Sequence, residues 1–257
     1  MAITILSPVE CDRMRRAGRA AAATLAYVGS RLAPGMTTAE IDRLVRVHTE
    51  AQGGRPSQLG YHGFPAAVCV SRNDIVCHGV PSPHVRLVDG DIVNVDVTTE
   101  LDGFHGDTSA TYVIGDAAPA ARALVELARG ARHAGIAAAV PGARLGDIGA
   151  AITKYVGDDG SIVEAYGGHG IGRAMHMEPH VSHVGRPQCG HRLREGMAFT
   201  VEPMINAGTS AVRTDADGWT VRTADGALSA QFEHTVLIGP HGPEITTLLA
   251  EGEPHTS

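Results

Sequence analysis

The residues best placed to do chemistry are four carboxylates and a set of histidines, all in short β-rich or glycine-rich runs. Asp96 and Asp107 flank the turn of GDIVNVDVTTELDGFHGDTSATYVIG, residues 90–115. Val93, Val95 and Val97 alternate with Ile92, Asn94 and Asp96, so the valines line one face of a strand and Asp96 points from the other. In an antiparallel hairpin, a four-residue loop Glu100-Leu101-Asp102-Gly103 sets Asp96 opposite Asp107. A two-residue turn at Asp102-Gly103 makes them diagonal neighbours instead. Either way both carboxylates project from one side, roughly 4.5–8 Å apart at their bases. Like charges this close repel unless a shared counter-charge holds them. A divalent cation supplies one, taking carboxylate oxygens at about 2.0–2.2 Å. The competing reading has Asp107 capping a turn and Asp96 facing solvent.

Glu202 in FTVEPM and Glu233 in AQFEHTV are single acids among β-forming and aromatic residues, where an unpaired charge is costly. Each alone reads equally well as an edge-strand glutamate. With Asp96 and Asp107 they make four isolated acids in four strands, a pattern that favours a shared cation. His169 lies in YGGHGIG, where flanking glycines allow close backbone approach to the imidazole. That setting also suits a hydrogen-bonded turn residue. His176 in MHMEPH and His78 in VCHGVP carry the same two readings.

Composition narrows the class. The chain has 257 residues, 43% hydrophobic and 19% charged, enough to bury a sizeable core and too apolar for an acidic disordered chain. Lys+Arg 21 against Asp+Glu 28 gives net −7, which argues against a broadly basic DNA binder. No apolar run approaches the ~20 residues of a membrane helix. The opening MAITILSPVECDRM lacks the basic start, apolar centre and cleavage site of a signal peptide, so a cytoplasmic protein is expected. The four cysteines, Cys11, Cys69, Cys77 and Cys189, form no CxxC pair and read as free thiols. Histidine, at 14, is the unusual count, and five (His169, His176, His180, His183, His191) cluster together. Surplus carboxylates and histidines without a cysteine set suggest a catalytic metal site of N and O ligands.

The elements that would position these residues repeat. AAATLAYVGSRLAPGMTTAEID (21–42) and ARGARHAGIAAAVPGARLGDIG (128–149) each read as an Ala-rich helix, a Pro-Gly stop and a second helix beginning. Pro34-Gly35 matches Pro141-Gly142, Glu40 matches Asp147, and Ile41 matches Ile148 at a common offset of 107. Strands are expected at 66–71, 75–78, 90–115, 197–205, 218–223 and 229–238, the last two joined by a turn at Asp225-Gly226. Helices, strands, helices, strands is an α+β order, a largely antiparallel sheet covered on one face by helices. One catalytic domain over 1–257 is expected, with half-domains at roughly 8–115 and 116–240.

Together DVTTELDGFHGDTS, GGHGIG, MHMEPH, VEPM and QFEHT resemble the type I methionine aminopeptidases of the pita-bread metalloprotease superfamily. The likeness runs from about residue 8 to 240, in family order and spacing, and YHGFPAAVCVSRNDIVCHGVP (61–81) and DGWTVRTADGALSAQFEHT (217–235) extend it toward the bacterial form. The resemblance implies a pseudo-twofold duplicated pita-bread fold and five ligands to two divalent ions, of Co, Mn, Fe or Zn. Asp107 and Glu233 would bridge the ions, Asp96 would complete one, and His169 and Glu202 the other. A metal-bridged hydroxide would attack the first peptide bond, with Glu202 shuttling its proton, His176 donating to the carbonyl oxygen and His78 meeting the next peptide nitrogen. Tyr61, His62, Phe64, Cys69 and Trp219 would line the methionine pocket. Gln58, Phe64 and Met175 depart from the commonest bacterial residues, at what are expected to be rim positions. A monovalent cation is implied at a loop including Asn73, Ile75 and Ser229.

The implied activity is removal of N-terminal methionine from nascent proteins whose second residue is small. Partners would be nascent N-termini, with transient ribosome contact, no DNA, no membrane and a monomeric state. The N-terminal Cys/His zinc extension and the type II helical insertion of related enzymes are not found in the sequence. Two rivals remain: a pita-bread aminopeptidase of different, for instance proline-directed, specificity, and a non-catalytic pita-bread binding protein.

Overall fold

A computed structural model describes residues 3–249. The first half runs α1 (Pro8–Gly29), α2 (Thr38–Ala51), β1 (Arg55–Pro56), β2 (Cys69–Arg72), β3 (Ile75–Cys77) and the hairpin β4 (Ile92–Leu101) and β5 (Phe104–Val113). The second half repeats the order with α3 (Pro119–Ala138), α4 (Leu145–Val156), β6 (Ser161–Ile162), β7 (Gly168–Gly170), β8 (Met177–Val181) and β9 (Ala198–Val201). It continues through β10 (Met204–Asn206), β11 (Val212–Thr214), β12 (Val221–Thr223), β13 (Ser229–Gln231), β14 (Glu233–Ile238) and β15 (Pro243–Ile245).

The two halves match at the level of single hydrogen bonds. After α1, the Gly35 amide donates to the Leu87 carbonyl at 2.7 Å and Leu87 returns a bond to Met36 at 2.8 Å. After α3, Gly142 donates to Leu193 at 2.9 Å and Leu193 returns one to Ala143 at 2.7 Å. Both turns need a glycine, since φ is +91° at Gly35 and +88° at Gly142. The second helix of each pair opens with an acid three residues past its N-cap, Glu40 reaching the Thr37 amide and Asp147 the Arg144 amide, both at 2.7 Å. α1 ends at Gly29, several residues short of the Pro-Gly stop that the sequence pattern suggested.

The large sheet runs in the order β1-β4-β5-β14-β9-β7-β8, with β2 added on β4 and β15 on β14. Every pairing is antiparallel among the described residues. Val93, Val95 and Val97 are fully buried and pack with Leu25 and Val28 of α1 and Ile41 and Val45 of α2. A second core joins Leu124 and Val125 of α3, Ile148 and Ile152 of α4, and Phe199 and Val201 of β9. Each core therefore lies between one helix pair and one helix-facing stretch of sheet, which leaves the other sheet face for polar side chains. α1 sits close on the hairpin because Gly106 of β5 has no side chain; a Cβ there would meet the Ala17 and Gly18 backbone at 2.5 Å.

Three strand expectations change. The 197–205 run breaks at Glu202-Pro203, because proline has no N–H for a ladder. β9 stays in the large sheet, whereas β10 joins a three-stranded sheet of order β13-β10-β6. The 229–238 run divides at Phe232 in the same way, with β13 beside β10 and β14 between β5 and β9. Asp225-Gly226 is not a hairpin turn between partners: β12 pairs with β11 and β3, and β13 with β10. No helix among the described residues is long and apolar enough to cross a membrane.

Candidate metal centre and substrate cavity

The hairpin register fixes how the two aspartates meet. Leu101 pairs with Phe104 across a two-residue turn, and Asp102 and Gly103 both have positive φ, +52° and +77°. Asp96 is thus opposite Ser109 and Asp107 opposite Thr98, which makes the aspartates diagonal neighbours on one face. Glu233, the first residue of β14, is also opposite Ser109, from the other side of β5. Thr235 of β14 pairs with Thr200 of β9, and Gly170 of β7 with Phe199, so Glu202 and His169 approach the same region from the next strands. The break at Pro203 ends β9 where Glu202 turns inward.

All five side chains line one cavity of about 480 Å³. Asp107, Glu202 and Glu233 are buried, and Asp96 is partly open to the cavity. His169 Nε2 lies 3.6 Å from Glu202 Oε1 and 3.8 Å from Asp107 Oδ2. Donor atoms of Asp107, His169 and Glu233 all fall within 4.8 Å of one another, a spacing that one ion bonded at about 2.0–2.2 Å closes with shifts of tenths of an ångström. The Nδ1 of His169 is 3.1 Å from the Gly170 carbonyl, so Nδ1 carries the proton and Nε2 presents its lone pair to the carboxylates. Among the described residues, the only ion-pair contacts to these four acids come from His169. Burial, with His176 beside it, holds that imidazole down at about 3, so it brings no positive charge at neutral pH. Four carboxylates with no lysine or arginine in ion-pair contact among the described residues, plus one imidazole lone pair, fit a divalent metal centre.

Threonine hydroxyls aim the carboxylates. Thr98 donates to Asp107 Oδ1 at 2.8 Å, and Thr200 to Glu202 Oε1 at 2.6 Å. Gln231 Nε2 donates to Glu202 Oε2 at 3.2 Å, and the Glu202 amide donates to His183 Nε2 at 3.1 Å. These partners were not picked out from sequence, although Thr98 beside Asp96 and Thr200 beside Glu202 both keep the two-residue spacing of a shared strand face. The histidine cluster divides: His169, His176 and His180 line the cavity, His183 is buried behind Glu202, and His191 is exposed elsewhere.

Around the centre, His78, Tyr61, Phe64, Cys69, Met175, His176 and Trp219 line the cavity. His176 Nδ1 is 2.8 Å from the Tyr61 hydroxyl, and its ring packs edge-on to His169 with centroids 4.1 Å apart. His78 has φ +55° and meets the Tyr166 ring edge-on at 5.5 Å. Phe64 and Trp219 form a T-shaped pair at 5.2 Å beside Cys69. His62 does not join them: it is exposed, absent from the cavity wall, and stacked edge-on against Tyr61. Gln58, Phe64 and Met175 are 6%, 3% and 5% exposed, so they are walls of the cavity and not its rim. In the loop around Asn73, Ser229 donates its amide to the Asn73 carbonyl at 2.8 Å, and Ile75 opens β3 beside it.

Residues 12–240 match metallopeptidase family M24. The chain belongs to that family. It is 47% identical over 248 residues to methionine aminopeptidase A of Synechocystis sp., covering 96% of this chain and 98% of that protein. It is 45% identical over 250 residues to methionine aminopeptidase of Escherichia coli K12, covering 96% and 95%. The fold superposes on the crystal structure of the Rickettsia prowazekii methionine aminopeptidase with TM-score 0.94 at 44% identity, over 96% of this chain and 100% of that one. As an M24 fold it is the pita-bread arrangement expected from the sequence motifs. Likeness to the prolidase of Pyrococcus furiosus, TM-score 0.75 at 20% identity and covering 66% of that chain, extends to the fold alone.

An M24 centre of this kind has a pH signature in the metal-free protein. Burial raises Asp107 to about 7 and Glu202 to about 8, and burial with neighbouring carboxylates holds Asp96 and Glu233 well above their ordinary values. Above the ordinary carboxylate range the folded chain holds protons that the unfolded chain has released, so stability falls as pH rises. Buried histidines such as His169 and His183, held near 3, oppose this below their ordinary value of 6.5 and are silent above it. Chelator-treated protein is therefore expected to lose Tm between about pH 6.5 and 8, and protein saturated with Mn²⁺ to lose much less. A metal-free Tm that is flat or rising over that window would count against the buried acidic cluster.

Proposed function

We propose that the chain is a metal-dependent methionyl aminopeptidase that removes N-terminal methionine from nascent proteins in the cytoplasm when the second residue is small. The observation carrying this reading is one cavity that combines a four-carboxylate, one-imidazole donor set with apolar and aromatic walls. It occurs in a chain that matches methionine aminopeptidases over nearly its whole length. Asp96, Asp107, His169, Glu202 and Glu233 would hold two divalent ions, of Mn, Fe, Co or Zn. Held there, they would supply an acidified water and polarisation of the scissile carbonyl.

The protein's own groups do the rest. Glu202, aimed by Thr200 and Gln231, takes a proton from the attacking water and delivers it to the leaving amine. His176 is held down at about 4 by burial and by His78, so it is neutral at working pH. A Tyr61 hydroxyl donating into Nδ1 selects the tautomer with its proton on Nε2, the atom then free to donate to the carbonyl oxygen as charge develops. His78 faces the peptide nitrogen beyond the scissile bond. Tyr61, Phe64, Cys69, Met175 and Trp219 enclose the methionine side chain, where a thioether gains contact with aromatic rings. The Asn73, Ile75 and Ser229 loop is the place for a monovalent cation. A single chain is the working unit, and contact with the ribosome is transient.

Methionine release from Met-Ala and Met-Lys peptides in Mn²⁺ or Co²⁺ tests the reading. Release from Met-Ala alone, abolished by chelator, is the expected result. Cleavage of neither peptide by metal-loaded protein would assign the cavity to another substrate, and Gln58, Phe64 and Met175 are where that specificity would reside.

A further inference from the structure

We propose that Gln58 is a positioning residue for the Asp96 side of the metal centre, its side-chain amide clamping β4 where that strand carries Asp96. The proposal rests on the metal reading above. β4 is covered on its outer edge by β1 at Thr99 and Glu100 and by β2 from Val93 to Asp96, which leaves a gap between them. Gln58 fills it. Its Nε2 donates to the Asp96 carbonyl at 2.8 Å, and its Oε1 accepts from the Thr98 amide at 3.2 Å. The adjoining Ser57 amide donates to the Thr98 carbonyl at 2.9 Å.

A side-chain amide here presents one donor and one acceptor, as a strand peptide unit would, and splices β1 to β2 along the edge of β4. Chemistry fixes its orientation: the flipped amide would set oxygen against the Asp96 carbonyl and N–H against the Thr98 N–H. The Nε2 group has a second proton, and Asp96 Oδ1 lies 3.4 Å from it. Gln58 therefore holds the backbone of Asp96 directly and offers its carboxylate a neutral donor. At 6% exposure, water has little access to replace it. Removing the amide would orphan two strand-edge groups beside a carboxylate that must meet an ion to within tenths of an ångström. The methionine pocket contributes a wall here, but the polar end of that wall is committed to β4.

The test is calorimetric titration of the chelated full-length chain with Mn²⁺, comparing wild type, Gln58→Met, Gln58→Asn and Asp96→Asn. Gln58→Met keeps length and loses both bonds; Gln58→Asn keeps an amide too short to span both partners and serves if the first variant does not fold. Both are expected to weaken Mn²⁺ binding at one site by about 10–100-fold. The other site should keep its wild-type Mn²⁺ affinity, which a general loosening of the fold would not allow. Wild-type Mn²⁺ affinity in a folded Gln58 variant, with binding lost in Asp96→Asn, would overturn the Gln58 role alone. Unchanged affinity in Asp96→Asn would overturn the metal reading on which it rests.

Discussion

Glu202→Gln will abolish methionine release, by a factor of at least about 10³, in a protein that folds as well as the wild type or better. On the roles proposed for Glu202, the factor combines loss of a proton shuttle, typically ~10²–10⁴, with loss of one ionic ligand. The fold should survive because glutamine has nearly the same shape and Thr200, Gln231 and the buried strand end remain in place. Stability of the metal-free form should rise, since a buried acid in a crowded carboxylate cluster is replaced by a neutral amide. His169→Ala should reach the same loss by another route, removing the one nitrogen donor that faces Asp107 and Glu202. Metal content, Tm and methionine release measured on both variants separate the cases. Glu202→Gln can retain some metal, whereas His169→Ala should lose part of it. Full activity in either variant would sink the ligand assignment.

Much of this centre is legible in the chain because it is made of local patterns. Alternation around Asp96 and the Asp102-Gly103 turn define a hairpin face, and the register only chooses between two nearby placements of Asp107. The Pro-Gly pairs and the acids three residues past the N-caps disclose the duplication, since each is required by a local hydrogen bond. What escapes is non-local. That Glu202-Pro203 and Phe232 are points where the chain passes from one sheet to another follows from which distant strands compete for the same edge. Pro203 gave a hint of it, whereas Phe232 gave none. Gln58 reads as an ordinary pocket position until β1 and β2 are seen to leave a gap on β4 that its amide fits. His62 follows Tyr61 directly in sequence, yet its left-handed backbone, φ +46°, turns it outward while Tyr61 reaches His176.

The contact between Tyr61 and His176 leads to the second large effect. His176→Ala should lower kcat by about 10²–10³, the usual cost of removing one donor to a developing oxyanion, with metal content unchanged. The distinction from His169 is geometric: both rings line the same cavity 4.1 Å apart, but only His169 presents a nitrogen to the carboxylates. Loss of the donor acts in the transition state, so KM for Met-Ala should move far less than kcat. Tyr61→Phe should give a smaller loss of the same kind, because the imidazole stays in place but no longer has a hydroxyl to select its tautomer. Since burial and His78 hold His176 at about 4, its own titration should leave no limb in the rate profile between about pH 5.5 and 8. Metal content, kcat and KM measured together on His176→Ala decide its role. A loss of metal would make His176 a ligand, and a rise in KM at constant kcat would make it a binding group with no part in the chemistry.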